Sequence, residues 1–276
     1  MAVDKTTKVG EVELDQACAF LAMYLSWARQ FRVFATRLPI ISYRGHACDS
    51  WKLIPSLCRE NSKNPLILKQ FENEVITEFR SRFRLADYTD MEVLAFAQHH
   101  GAPTRLLDWS SNPFIGLWFA VSDKTYDSVP GAVFQLAAAN SDLVGLHVGD
   151  MRLDKVENCG CGKNIHVFSS PVKIERTDRQ RSIFTIASFQ NDYAVKSLDE
   201  IELNGLKAPI RKFSVLAKLK PELRRTLAEL GLDAYGIYGS PDSFGKTLST
   251  LLDISDFNLS PEIISAPNIQ REAKND

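Results

Sequence analysis

Gln98-His99-His100-Gly101-Ala102-Pro103-Thr104-Arg105-Leu106-Leu107-Asp108-Trp109 runs directly into Ser110-Ser111-Asn112-Pro113-Phe114-Ile115-Gly116-Leu117-Trp118-Phe119-Ala120-Val121. From Phe114 to Val121 no side chain is charged or strongly polar, so a helix there has no face for water and must be surrounded by protein. Asn112 is a favoured cap and Pro113 a favoured first residue, which sets where that helix starts. Upstream, a helix reads from an N-cap near Asp90 to His100, with Gly101 at its C-cap and Pro103 just beyond. The connection between the two reads as turn-rich. An amide, two imidazoles, a guanidinium and a carboxylate therefore lie between two buried helices, where each is costly without a partner. The cluster marks where to look for function without deciding which reaction to expect.

Outward from this centre, Pro65 to Phe83 reads as a helix. Ile67, Phe71, Val75, Ile76 and Phe79 form its inner side, and Lys69, Glu72, Glu74, Glu78 and Arg80 form a solvated outer side. Before it, Ile40-Ile41-Ser42-Tyr43 reads as a short strand that delivers Arg44-Gly45-His46 at its end. Pro39 separates that strand from a helix over Leu14–Phe34, where Phe20, Met23, Tyr24 and Trp27 recur at helical spacing. Strand-like runs follow the central helix at Ala132–Leu136, Ile165–Phe168, Ile183–Ile186 and Ile210–Ala217. Pro221–Glu229, closed by Gly231, and Phe244–Leu252 read as helices. Helices first, then strands mixed with helices, predict an α+β fold: a mixed sheet, an N-terminal helical region and a central buried helix. Residues 1–36 are expected as a helical segment packed on one domain over 37–255, and 256–276 as a loose tail.

Bulk composition narrows the function classes. Of 276 residues, 45% are hydrophobic and 24% charged, which is ordinary for a globular chain and too apolar for disorder. The formal net charge of -1 supplies no global attraction to nucleic acid or an anionic membrane. Five cysteines, an odd count with no secretion signal, predict free thiols in a reducing, cytoplasmic setting. Ala17–Ala28 is apolar but too short to span a bilayer, and Glu11, Glu13 and Asp15 precede it where a signal peptide is positive. No membrane role is expected.

His99 and His100 sit in the last turn of a helix, whose dipole favours an imidazolium that can bind anions or give up a proton. A histidine bonded to a loop carbonyl is the plainer reading of each. Arg105 and Asp108, three apart, are either a buried ion pair bracing the turn or part of a ligand site. In the second case the free amides near Asn112 offer an anion site, Arg105 adds a two-pronged contact, and Ser110 and Ser111 add hydroxyls. Arg44 is a second cationic candidate, with Gly45 allowing close approach to the backbone. Cys159-Gly160-Cys161, with His147 and His166 the nearest imidazoles, lacks a compact four-ligand set, so no metal is expected. No Walker A loop, Gly-x-Gly-x-x-Gly, Gly-x-Ser-x-Gly or His-Glu-x-x-His occurs.

Tyr43-Arg44-Gly45-His46, Trp51-Lys52-Leu53-Ile54-Pro55-Ser56 with Arg59, and the run from Gln98 to Trp109 with Asn112-Pro113 resemble the FRG domain, a family named for its Phe/Tyr-Arg-Gly motif. A more distant resemblance is to the ADP-ribosyltransferase fold. Those enzymes often begin their site with an arginine after a strand, as Tyr43-Arg44-Gly45 does. They continue with a Ser/Thr-rich strand beside a helix, to which Asp108-Trp109-Ser110-Ser111 and Ile115–Val121 are similar. They end with a Glu or Gln near a late strand, where Arg179-Gln180-Arg181 stands here. The departure is the acid: Gln180 cannot act as a base, though it can hydrogen-bond a ribose hydroxyl.

This resemblance implies a transferase or glycohydrolase with NAD as substrate, acting as a toxin or antiphage effector. Its expected catalytic group is His99, His100, Asp108 and Gln180. Its expected ligand contacts are Tyr43, Arg44, Gly45, Gln98, Thr104, Arg105, Ser110, Ser111 and Asn112. The alternative is a non-catalytic module in which the same cations hold a nucleotide, a nucleic acid or another anionic ligand. A nucleic-acid or protein target fits either reading.

Overall fold

The computed structural model describes residues 5–34, 40–59, 64–138, 144–145, 153–158, 165–169, 175–203, 206–207 and 210–252. In chain order the elements are α1 (Lys5–Phe34), β1 (Ile40–His46), α2 (Ser56–Arg59), α3 (Pro65–Phe83), α4 (Asp90–His99), β2 (Leu106–Ser110), α5 (Pro113–Val121) and β3 (Gly131–Ala138). There follow β4 (Val144–Gly145), α6 (Leu153–Glu157), β5 (Ile165–Ser169), α7 (Glu175–Arg179), β6 (Ser182–Ala187), β7 (Glu202–Leu203) and β8 (Leu206–Lys207). The last are β9 (Ile210–Val215), α8 (Lys220–Glu229), α9 (Ala234–Tyr238) and α10 (Pro241–Leu252). The fold is α+β, as expected. The expected tail and the Cys159-Gly160-Cys161 run lie outside the described residues. Among the described residues no helix is long and apolar enough to cross a membrane.

Seven strands form one mixed sheet in the order β4-β5-β6-β2-β1-β3-β9, and β7 and β8 pair separately. β4 runs parallel to β5, and the other pairs are antiparallel. β1 pairs with β3 along its whole length, from Ile40↔Ala138 to His46↔Ala132. Its other edge meets β2 at a single pair, Tyr43↔Ser110. Beyond that pair β1 and β2 part, so the sheet is split near its middle.

Among the described residues the helices seal the sheet through three buried clusters. α5 is the central buried helix: Asn112 caps it by accepting from the Phe114 N–H, and Ile115, Leu117, Trp118, Ala120 and Val121 are all buried. Tyr24 of α1 donates to the Pro113 carbonyl at 2.6 Å, and the Ala28 carbonyl of α1 accepts from Tyr43 and from Gln135 of β3. These bonds seat α1 against α5, β1 and β3, where Phe20, Tyr24, Ile115 and Leu223 share one apolar cluster.

β1 and α5 approach closely because glycines face each other. A Cβ on Gly45 would lie 2.0 Å from the Gly116 carbonyl oxygen and 2.6 Å from the Ala120 nitrogen, both backbone atoms that cannot swing away. Gly45→Ala is therefore expected to lower unfolding free energy by about 1–3 kcal/mol through overpacking. Urea unfolding reads this, and a change inside the error of the wild type would refute the packing account.

Four local expectations change. Residues 106–110 are a strand, not part of a turn, because Leu106, Leu107 and Trp109 bury against β6 and the layers beside it. Arg44, Gly45 and His46 lie within β1 rather than beyond it. Thr89, not Asp90, caps α4, in a reciprocal capping box with Glu92. The inner side of α3 is Leu68, Glu72 and Ile76, while Ile67 and Phe71 are exposed.

Candidate functional site

Glu72 is inward because Arg105 needs it. Arg105 is 1% exposed, donating from Nε (3.2 Å) and Nη2 (2.6 Å) to the two Glu72 carboxylate oxygens. Its Nη1 donates to Glu157 of α6 and, at 2.9 Å, to the Ala187 carbonyl at the end of β6. Glu157 also accepts from the Ser188 hydroxyl and the Phe189 N–H. The guanidinium carbon stands 4.1 Å from the centre of the Phe189 ring. Nearby carboxylates raise the Arg105 pKa against the opposing effect of burial. Arg105 is thus a buried brace joining α3, α6 and the β2 and β6 strands. The expectation that it contacts a ligand is corrected, and so is its pairing with Asp108. An odd spacing along extended chain points the two side chains to opposite sides.

Asp108 opens instead into a hollow of about 310 Å³ where the sheet splits. Arg44 of β1, Gln98 and His99 of α4, Asp108 of β2, and Gln180 and Ser182 around the start of β6 all line it. Arg44 reaches across the split, its Nη1 donating to the Asp108 carbonyl at 2.6 Å and lying 3.9 Å from the carboxylate Oδ2. A backbone carbonyl that the ladder leaves unpaired is satisfied by a side chain. Gln98 donates to Asp108 Oδ2 at 2.6 Å, while Thr104 donates to Gln98 and so sets which way that amide faces. Gln180 is 8% exposed, and its buried Nε2 has no partner among the described residues. Its backbone carbonyl accepts from Ser110 at 2.7 Å.

Burial lowers the Arg44 pKa, the Asp108 charge raises it, and nearby Arg59 lowers it further. Two guanidiniums and one carboxylate among the described lining residues leave the hollow a net positive edge. Arg44 and Arg59 also line a second, larger cleft of about 1160 Å³, whose walls include Trp51, Trp118, Phe119 and Tyr238. The two cavities therefore meet at these arginines.

His46 aims Arg44. Its Nε2 accepts from Arg44 Nε at 3.1 Å, which leaves Nδ1 as the protonated nitrogen, donating to the Trp51 carbonyl at 3.2 Å. Burial first, and then the Arg44 charge, push its pKa down to about 3. An unfolded histidine titrates near pH 6.5, so between about pH 6.5 and 3 the unfolded chain binds a proton that the folded one refuses. This contribution to stability is intact above that range and is lost as pH falls through it, by up to about 1.4 kcal/mol per pH unit. Urea unfolding from pH 7 to pH 5 should show the decline, and His46→Gln should flatten it. An equal slope in the variant would refute it.

The remaining expected site residues lie elsewhere. His100 stacks on Phe83, meets the tilted ring of Phe96, and lines neither cavity. Thr104, Tyr43 and Ser110 are buried and act through hydrogen bonds to other groups. Gly45 lines the larger cleft, but its absent side chain serves the α5 contact. Ser111 donates its N–H to the Arg181 carbonyl. Asn112 spends its side chain on its own cap, and neither cavity is lined by residues of the α5 N-terminus, so the expected anion site there is corrected. His46, Trp51 and Arg59 entered the sequence reading only within the strand-end run and the motifs of the resemblance and not as site residues, and Ser182 did not enter it. The strand alternation that puts residues 44 and 46 on one side of β1 was a usable signal for His46.

Among the described cysteines, Cys18, Cys48 and Cys58 are free. Burial pushes the Cys58 thiol up to about 12, which makes it a poor nucleophile. No metal-holding cluster of His, Cys, Asp and Glu occurs among the described residues.

Residues 40–128, which contribute Arg44, Arg59, Gln98, His99 and Asp108 to the hollow, match the family model described as FRG domain. No curated protein and no solved structure matches the chain.

Proposed function

We propose, with the FRG domain of residues 40–128 as premise, that this protein binds NAD at the split in its sheet and breaks the bond between nicotinamide and ribose. The observation that carries the proposal is convergence. Arg44, Gln98, His99, Asp108 and Gln180 come from β1, α4, β2 and the turn before β6, and all line one hollow. The ADP-ribosyltransferase resemblance calls on a strand bearing an arginine, a Ser/Thr-rich strand beside a helix and a late strand; here β1, β2 and β6 carry Arg44, Asp108 and the Gln180 turn and lie side by side in the sheet.

The roles follow from chemistry. Arg44 and Arg59 hold the pyrophosphate where the cavities meet. Gln180 Nε2, lacking a partner, donates to a ribose oxygen. Asp108, held by Gln98, places its negative charge beside the ribosyl carbon as positive charge develops there. The carbon–nitrogen bond breaks with its electron pair leaving on nicotinamide. Water or an acceptor then adds to the ribosyl carbon, and its proton passes by way of His99 to solvent.

Incubating the folded protein with NAD and measuring free nicotinamide by chromatography tests this. Release above a no-protein control is expected. NAD left intact with water and candidate acceptors present rejects the proposal.

One observation favours the non-catalytic alternative. Among the described residues Asp108 is the single carboxylate lining the hollow, and Gln98 and Arg44 both engage it. That reading expects NAD binding that weakens steeply with salt and yields no nicotinamide.

A further inference from the structure

The larger cleft carries a feature that the proposed chemistry in the hollow leaves unused. Trp51 is 43% exposed and lines this cleft, yet it is held firmly. Its ring meets Tyr126 edge-on at 4.9 Å and His46 at 6.0 Å, and its carbonyl accepts from His46. The wall behind it is tied down as well. Buried Lys220 donates at 2.6 Å to the carbonyls of both Ala47 and Tyr126, the two chain segments that flank Trp51. Leaving a large aromatic surface in water is unfavourable, and immobilising it removes the compensating freedom. A fixed ring with an open surface is suited to receive another flat ring.

Charge narrows the occupant. Arg44 and Arg59 stand where this cleft joins the hollow, whereas Lys52 beside Trp51 is paired with Glu200 and the described carboxylates lining the cleft are Asp123, Glu229 and Asp233. Trp118, Phe119 and Tyr238 supply further apolar lining. A ligand satisfying both features is flat and aromatic at one end and anionic close by. We infer that the larger cleft is a nucleobase site, in which Trp51 stacks on the base of a nucleotide whose phosphate reaches Arg44 and Arg59. The assignment deepens the NAD reading and rests on it for the phosphate contacts.

The test compares AMP with ribose 5-phosphate by calorimetric titration of the full chain. The two share the phosphate and sugar and differ in the base. AMP should bind tighter by about tenfold or more, the effect expected of one aromatic stack. Trp51→Ala should abolish that difference, and Trp51→Phe should keep most of it. Equal affinities of the wild type for the two ligands overturn the assignment, whatever the variants do. A folded Trp51→Ala protein that still prefers AMP also overturns it. Nicotinamide release is read separately. A base preference lost in Trp51→Ala, in a protein that leaves NAD intact, supports the nucleobase site and rejects the NAD chemistry. NAD cleavage with no preference for AMP rejects the nucleobase site and leaves the chemistry standing.

Discussion

Replacing Arg105 with alanine is expected to lower unfolding free energy by about 3–5 kcal/mol, the usual consequence of removing one partner from a buried ion cluster. Glu72 and Glu157 are then left facing each other in a site with almost no solvent, without the cation whose three nitrogens they occupy. The Ala187 carbonyl loses a donor as well. Denaturant midpoints measure the loss. Arg105→Lys should also lower stability, because an ammonium keeps the charge but cannot make the two-pronged contact with Glu72. The triple change Arg105→Met, Glu72→Leu, Glu157→Gln should recover most of what Arg105→Ala loses. It removes the stranded charges and keeps a side chain to accept from Ser188 and Phe189. A folded Arg105→Ala protein within about 1 kcal/mol of the wild type would mean the cluster is not a brace. Lost ligand affinity at unchanged stability would put Arg105 back in the site.

The second large effect is on the proposed reaction. Asp108→Asn should reduce nicotinamide release by about 100-fold or more, the usual cost of removing a charge aimed at the reacting centre. Asparagine retains an oxygen for the Gln98 contact and leaves the backbone carbonyl that receives Arg44 untouched. NAD affinity should therefore change only a few-fold by order of magnitude, while the rate collapses. Titration of NAD against the variant separates the two quantities. A rate within about threefold of the wild type would remove Asp108 from the chemistry.

Local signals served the sequence reading well. α5 begins where Asn112 and Pro113 were read as cap and first residue, and α3 begins at the expected Pro65, because a helix start is settled within a few residues. Partners distant along the chain were harder to read. Glu72 looked like part of a solvated stripe because its counter-ion lies 33 residues on. β2 was missed because its five residues carry Asp108 in the middle and two adjacent leucines, which breaks strict alternation. Arg105 was grouped with Asp108 by proximity in number. Once the segment is known to be extended, the same spacing separates them. The residues expected to converge, Arg44, His99, Arg105, Asp108 and Gln180, were named from motif and residue type; Arg105 is buried apart from the others, and Gln98, expected as a ligand contact, lines the hollow with them. Their meeting place depends on strand order, which one sequence does not reveal. His100 went astray because two adjacent residues at a helix end point about 100° apart, and only His99 faces the hollow.

The parting of β1 from β2 has a mechanical side. One panel, β9-β3-β1, is joined to the other, β2-β6-β5-β4, by a single backbone pair at Tyr43 and Ser110 and by the guanidinium of Arg44. Shear between the panels is opposed there by a side chain where a sheet normally relies on a row of amides. Arg44 thereby stitches the seam and faces any anion that arrives, so alignment of the two panels and capture of a guest draw on the four N–H groups left once Nε is given to His46.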